Sequence, residues 1–363
     1  MDQRTSSIAN GASDNPRGIS VNRRIVLCSR PAGVPNIANF RLDELPVPAP
    51  SPGQVLMRTL YLSLDPYTRD RISDRPYCFA PLAVDEVMAG RTVSRVETSR
   101  HPDYRPGDLV LGYNGWQQYA LSDGTDLTKL DARVTRPSLS LGALGVPGFT
   151  AYVGLLEIAK PKAGETVVLA AASGAIASLG GQLAKLKGCR VVVLAGNADK
   201  RRFAIEDLGF DACIEPRSAQ LSEQLKAACP IGIDVYFECA GGAVLDTVLP
   251  LLNRGARVPL AGLMSNYNDA GLPTESNRLK PLIRTLHTKR IKIQAFSVSG
   301  YRHRYGEFVT QMSMWLKEGK VKLREDIVEG LENAPSALIG LLEGERSGKL
   351  VIRVAKNGAR ENS

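Results

Sequence analysis

Residues 165–200 (ETVVLAAASGAIASLGGQLAKLKGCRVVVLAGNADK) constrain the fold of this chain more than any other segment. The run 166–171 is short and apolar, and it suits a parallel strand covered on both faces. Ser173, Gly174, Ala175 and Ala177 follow as a turn in which nothing large blocks approach to the backbone. Leu179, Leu183 and Leu186 then line one side of a predicted helix that ends at Gly188, and 190–194 supplies a second strand. Unpaired amides at the start of such a helix, together with its dipole, favour an anion, so the geometry suits a diphosphate. The strict G-x-G-x-x-G spacing is not met, because Gly174 stands alone until Gly180 and Gly181. Two readings therefore stand: a dinucleotide site, and an ordinary strand–helix–strand unit.

The tip of the second strand bears on which dinucleotide. NAD-preferring sites place Asp or Glu there to bond the ribose 2′-hydroxyl. This chain has Ala195, Gly196 and Asn197, followed by Lys200, Arg201 and Arg202. Cations at a helix start oppose the dipole and ask for a reason, which the extra phosphate of NADP would supply. The plainer reading is a solvated first helical turn.

At 363 residues the chain is expected to hold two domains. With 44% hydrophobic and 23% charged residues it reads as globular. No apolar run reaches the roughly 18 residues needed to span a bilayer, which predicts a soluble protein. The first residues are polar and lack the apolar core of a signal peptide, so 1–21 is read as a disordered leader. Six scattered cysteines argue for reduced thiols in the cytoplasm. The net charge is +9, and eight Lys or Arg residues with no acid fall within 278–304. RNA binding is one explanation. The other is an amphipathic helix with a basic outer face, since Leu279, Leu282, Ile283 and Leu286 recur at helical spacing and no aromatic-interleaved motif accompanies the charge.

Residues 22–138 are rich in proline and glycine with short strand-like runs such as 54–60 and 109–112. Further on, strands expected at 166–171, 190–194, 212–214, 235–238, 256–261 and 291–296 alternate with helical segments, as in a doubly wound parallel sheet. Pro259 sits awkwardly in the fifth. Strands at 323–328 and 349–354, flanking a helix near 334–342, are expected to return to the first domain. The division is thus 22–138 with 315–363 as a β domain, and 139–314 as the dinucleotide-binding domain.

Several motifs occur together: Tyr61-Leu-Ser-Leu-Asp-Pro-Tyr67 with Arg69, Leu141-Gly-Ala-Leu-Gly-Val-Pro-Gly-Phe-Thr-Ala-Tyr152, Ala171-Ala-Ser-Gly-Ala175, Ser265-Asn-Tyr-Asn268 and Ser347-Gly-Lys-Leu350. Their order resembles the medium-chain dehydrogenase/reductase superfamily. Within it, the chain is similar to the zinc-independent branch of leukotriene 12-hydroxydehydrogenase/prostaglandin reductase, alkenal double-bond reductase and curcumin reductase. The resemblance implies an α/β architecture, a GroES-like β domain plus a Rossmann domain, and a homodimer. Zinc-dependent relatives need an early Cys, a His-Glu pair and four clustered cysteines. Here Leu62-Ser63-Leu64-Asp65 and Met88-Ala89-Gly90-Arg91 occupy the first two places, and His101, His287 and His303 lie far apart, so no zinc ligand set can be drawn.

Without ligands for a Lewis acid, reduction of an activated C=C bond fits better than alcohol oxidation. In this family the NADPH hydride goes to the β-carbon of an α,β-unsaturated ketone or aldehyde. The resemblance assigns Tyr267 the bond to the carbonyl oxygen or the proton delivery, and makes Tyr67 a substrate-wall candidate. It places the cofactor against Thr150, Ser173, Gly174, Ala175, Ile176, Ala177, Gly196, Lys200, Cys239, Gly262, Phe296 and Val298. Four positions depart from the family pattern: Ala177 for glycine, Pro216 for tyrosine, Cys239 for asparagine and Arg346 for asparagine. The added methyl of Ala177 is expected to crowd the diphosphate. Arg346, if it points inward, would pair with a substrate carboxylate; pointing outward, it is a surface arginine. The departures keep a second enzymatic reading open, a biosynthetic member doing cyclisation, isomerisation or elimination on a similar electrophile.

Overall fold

The computed structural model describes residues 21–74, 76, 80–131, 135–170, 174–262 and 279–356. The expected leader lies outside them except for Val21, which already opens a strand. Seven strands come first: β1 (Val21–Leu27), β2 (Phe40–Pro46), β3 (Val55–Ser63), β4 (Thr92–Ser99), β5 (Leu109–Gly112), β6 (Tyr119–Ser122) and β7 (Thr128–Lys129). Six follow in alternation with helices: β8 (Thr166–Leu169), β9 (Arg190–Leu194), β10 (Ala212–Ile214), β11 (Ile233–Phe237), β12 (Leu252–Leu260) and β13 (Lys292–Ala295). The last two are β14 (Glu325–Glu329) and β15 (Lys349–Arg353).

The middle six form one parallel sheet in the order β10-β9-β8-β11-β12-β13. That is the Rossmann arrangement, with the strand order reversing between β8 and β11. Both faces are covered, which explains the unbroken apolar runs. Val167 and Leu169 of β8 point into one buried cluster, with Val191, Val193, Val235 and Phe237. Val168 and Ala170 point into the other, with Val192, Leu194 and Tyr236. The helix Ala175–Leu186 crosses back over the first of these faces. Its close approach depends on Gly180 and Gly181, where an added Cβ would stand 2.9 Å from Leu169 and 2.5 Å from Phe210. The glycines absent from the turn thus serve the helix–sheet contact. Pro259 is held near the end of β12, its carbonyl accepting from the Glu238 amide at 3.0 Å.

Strands β14 and β15 join the first part of the chain, in a second sheet ordered β14-β15-β3-β4-β5-β7 with β6 on β3. The helix Ala334–Leu342 packs beneath it against Leu62, Leu64 and Trp116. The helix Tyr305–Lys317 runs unbroken through the 314/315 division expected from sequence, and its Phe308 and Met312 pack with Phe149 and Leu179. Of the basic stretch, Leu279–Lys289 is helical with Ile283 exposed, and Arg304 pairs with Glu157 and Glu307. Among the described residues no helix is long and apolar enough to cross a membrane.

Candidate active site

Ligands of open α/β sheets bind outside the carboxyl ends of the strands where the order reverses, here beyond β8 and β11. On the β8 side, Gly174 is the N-cap of the twelve-residue helix Ala175–Leu186 and supplies no side-chain acceptor. Gly174 is exposed, Ile176 half-buried and Ala175 buried. An uncapped helix start of this kind fits a diphosphate. Ser173 lies outside the described residues. The expectation for Ala177 is corrected: its side chain is buried in the apolar cluster with Leu155, Val193 and Phe237. Its methyl therefore packs between helix and sheet, the role that the last glycine of the fingerprint ordinarily leaves open.

On the β11 side, Cys239 is buried with its thiol donating to the Ala170 carbonyl at 3.3 Å. Burial, then the Glu238 charge, pushes this thiol up to about 12, so it stays protonated and unreactive. Glu238 itself was not singled out from the sequence. It is 1% exposed, and its Oε1 accepts from the amides of Ala240 at 2.6 Å and Gly241 at 2.8 Å. Its carboxyl is raised by burial, against the lowering effect of those amides. Gly241 has a φ of 79°, a backbone state that glycine reaches without strain. Glu238 and Gly241 together fix the loop that follows β11.

Around the crevice, Phe296 packs edge-on against Phe237 and Tyr301, with Val298 half-buried two residues later. Thr150 donates its hydroxyl to Val146 at 2.8 Å within its own helix. Gly262 is half-buried, and Gly196 opens on free space. The three cations beyond β9 each have a local partner. Lys200 is buried and donates from Nζ to the Gly344 carbonyl, Arg201 pairs with Glu215, and Arg202 pairs with Asp199 at 2.6 Å. Burial lowers the Lys200 ammonium below its ordinary value. Arg201 and Arg202 thus have a reason to stand at a helix start without any phosphate.

The other sheet contributes a cluster of phenols. Tyr67 follows β3 and lies 3.5 Å from the Tyr113 hydroxyl, which also accepts from Arg71 at 2.9 Å. Burial first, then the Asp65 charge and Tyr113, hold the Tyr67 phenol well above its ordinary value, so it is a donor at neutral pH. Arg346 is not free to meet a carboxylate unaided: its guanidinium stands 3.8 Å from Asp326 of β14. Lys349 is a second residue whose role the sequence hid. It is 3% exposed, donates to the Leu64 carbonyl and to Asp65, each at 2.8 Å, and so ties β15 to the segment carrying Tyr67. Tyr267 lies outside the described residues. Among those described, no three His, Cys, Asp or Glu side chains gather as a metal site.

Residues 23–130 match the family model described as the N-terminal domain of oxidoreductase, and 175–314 the one described as zinc-binding dehydrogenase. The NADPH-dependent curcumin reductase of Escherichia coli (strain K12) is 55% identical over 335 residues, covering 92% of this chain and 97% of that protein. The chain belongs to the zinc-independent medium-chain dehydrogenase/reductases and is an oxidoreductase. Other members of the family agree. Prostaglandin reductase 1 of Oryctolagus cuniculus is 37% identical, over 90% of this chain and 91% of that one. The crystal structure of CurA in complex with NADPH from Vibrio vulnificus superposes with a TM-score of 0.89 at 51% identity, over 92% of this chain and 99% of the other.

Proposed function

We propose that this protein reduces the C=C bond of an α,β-unsaturated ketone or aldehyde with NADPH. The observation that carries the reading is the uncapped helix start at Gly174, at the reversal of strand order, in a chain whose relatives include NADPH-dependent curcumin reductase and NADP(+)-dependent 2-alkenal reductase. The cofactor supplies a hydride to the β-carbon. The amides at Gly174 and Ala175 would hold its diphosphate, with Gly196 and Lys200 towards the ribose phosphate and Phe296, Val298 and Cys239 lining the nicotinamide end. Tyr267 remains the proposed donor to the carbonyl oxygen, and Tyr67 a proposed wall of the substrate site.

Lys200 spends one of its three ammonium donors on the Gly344 carbonyl, which leaves two for a 2′-phosphate. Lys200→Ala should then raise the Michaelis constant for NADPH about ten- to a hundredfold, the worth of a charge-assisted hydrogen bond, and leave that for NADH nearly unchanged. Equal use of NADH and NADPH by the wild type would remove the basis for this role. A homodimer is also proposed. The edge strand β13 is exposed along all four residues, an unpaired template for a second copy. A monomeric mass in solution would refute it.

A further inference from the structure

We propose that Arg91 is a specificity-determining residue: its guanidinium docks a carboxylate on the substrate, so the enzyme favours conjugated carbonyl compounds that carry an anionic group. This deepens the reductase reading and rests on it for the reaction.

The backbone at Arg91 is held on three sides. Its carbonyl accepts from the Ser63 amide at 2.8 Å, and the preceding Gly90 carbonyl accepts from Gly115 at 3.1 Å. Gly90 has no room for a side chain, since a Cβ would stand 2.7 Å from Leu62 and 3.1 Å from Trp116. Arg91 therefore leaves a rigid strand start, immediately before β4, at a fixed place beside the segment that carries Tyr67.

The side chain is half-buried, and phenols surround it. The guanidinium lies 6.0 Å from the centre of the Tyr113 ring. Its charge also acts on Tyr67 and on Tyr305, drawing both phenols down against the upward effect of burial. Tyr305 belongs to the other part of the molecule, where its hydroxyl donates to Leu144 at 3.0 Å. Arg91 thus stands against Tyr113 and within electrostatic reach of Tyr67 and Tyr305.

What it lacks among the described residues is an acid. Several partly buried arginines are paired: Arg304 with Glu157, Arg257 with Glu165, Arg346 with Asp326. Arg71, the other cation on Tyr113, donates to that hydroxyl and to the Ala80 carbonyl. Asp65, the carboxylate that also acts on Tyr67, is committed to Lys349 and to the Ser63 hydroxyl. A ring face at 6.0 Å is a weak partner for a partly buried cation, which leaves the guanidinium available to an anion. The planar guanidinium fork matches a carboxylate in two-point contact. The carboxylate contact raised from sequence for Arg346 thus moves to Arg91, and Arg346 keeps Asp326.

The test compares benzalacetone, a neutral enone, with its para-carboxylate, in the wild type, Arg91→Met and Arg91→Lys. Arg91→Met should cut kcat/KM for the carboxylate about ten- to a hundredfold, mostly through KM, the range expected for a charge-assisted pair. Benzalacetone should change by less than about threefold, and Arg91→Lys should recover part of the loss, as a point charge without the fork. Equal losses on both substrates, or an undiminished preference for the carboxylate in Arg91→Met, would overturn the proposal. If the wild type reduces neither compound, the reductase reading fails by itself. Calorimetry with the saturated para-carboxylate ketone then decides: binding that Arg91→Met abolishes supports the anion site, and no binding, or equal binding by both proteins, refutes it.

Discussion

Replacing Lys349 by methionine is expected to destabilise the fold by about 3–5 kcal/mol, the cost of breaking a buried ion pair from one side. The Lys349 side chain is 3% and the Asp65 side chain 16% exposed, at 2.8 Å from each other. Methionine fills much the same volume, so the loss should come from the charge left on Asp65 and from the Leu64 carbonyl deprived of its donor. The contact spans the chain: it fastens β15 to the end of β3 and the turn leading to Tyr67. The shift of the urea midpoint, with an unchanged slope, measures it. The double variant Lys349→Met/Asp65→Leu should recover much of the loss, because no uncompensated charge remains. A single-variant loss below about 1 kcal/mol would place the pair in the class of exposed salt bridges instead.

Tyr267→Phe is expected to lower turnover on a saturating enone by about 10²–10⁴, the usual worth of a positioned donor to a developing oxyanion. In the proposed role the phenol would bond the enolate oxygen more strongly than the ground-state carbonyl, so deleting only the hydroxyl would remove stabilisation made in the transition state. NADPH affinity, read from nicotinamide fluorescence, should stay as in the wild type. Wild-type turnover in the variant would reduce Tyr267 to packing. Tyr67, protonated and flanked by Tyr113 and Arg91, would then be the donor to test.

The middle of the parallel sheet was legible because β8, β9 and β11 are buried on both faces. The runs 190–194 and 212–214 match β9 and β10 end to end. β11 and β12 begin earlier than expected, at Ile233 and Leu252. In β12 the exposed Arg254 and Gly255 break the apolar pattern that marks a strand. The return of the last strands was expected from the strand-like runs 323–328 and 349–354, and β14 and β15 do join the sheet of β3.

The side chains of the site were less so, for a physical reason. Lys349 and Asp65 are 284 residues apart, and a pair at that separation leaves no local spacing to read. Glu238 looks like a surface acid at a strand end, and only the fold reveals that its carboxyl is enclosed and bonded back to the next turn. Ala177 shows the converse error. Its place in the turn suggested a clash with a ligand, whereas the helix directs its methyl into the core. Arg91 stood in view in the segment that replaces the His-Glu pair of zinc relatives, yet its significance depends on which groups surround it.

Hydride transfer to carbon is the central claim, and deuterium tests it most directly. Wild-type protein is incubated with benzalacetone and NADPH carrying deuterium at the nicotinamide C4 position that the enzyme uses, each C4 epimer being tried in turn. The account predicts the saturated ketone with one deuterium, located at the β-carbon, formed in step with oxidised cofactor from one epimer only. A product rearranged or cyclised without deuterium and without cofactor oxidation would contradict it, and would point to non-redox chemistry on the same electrophile.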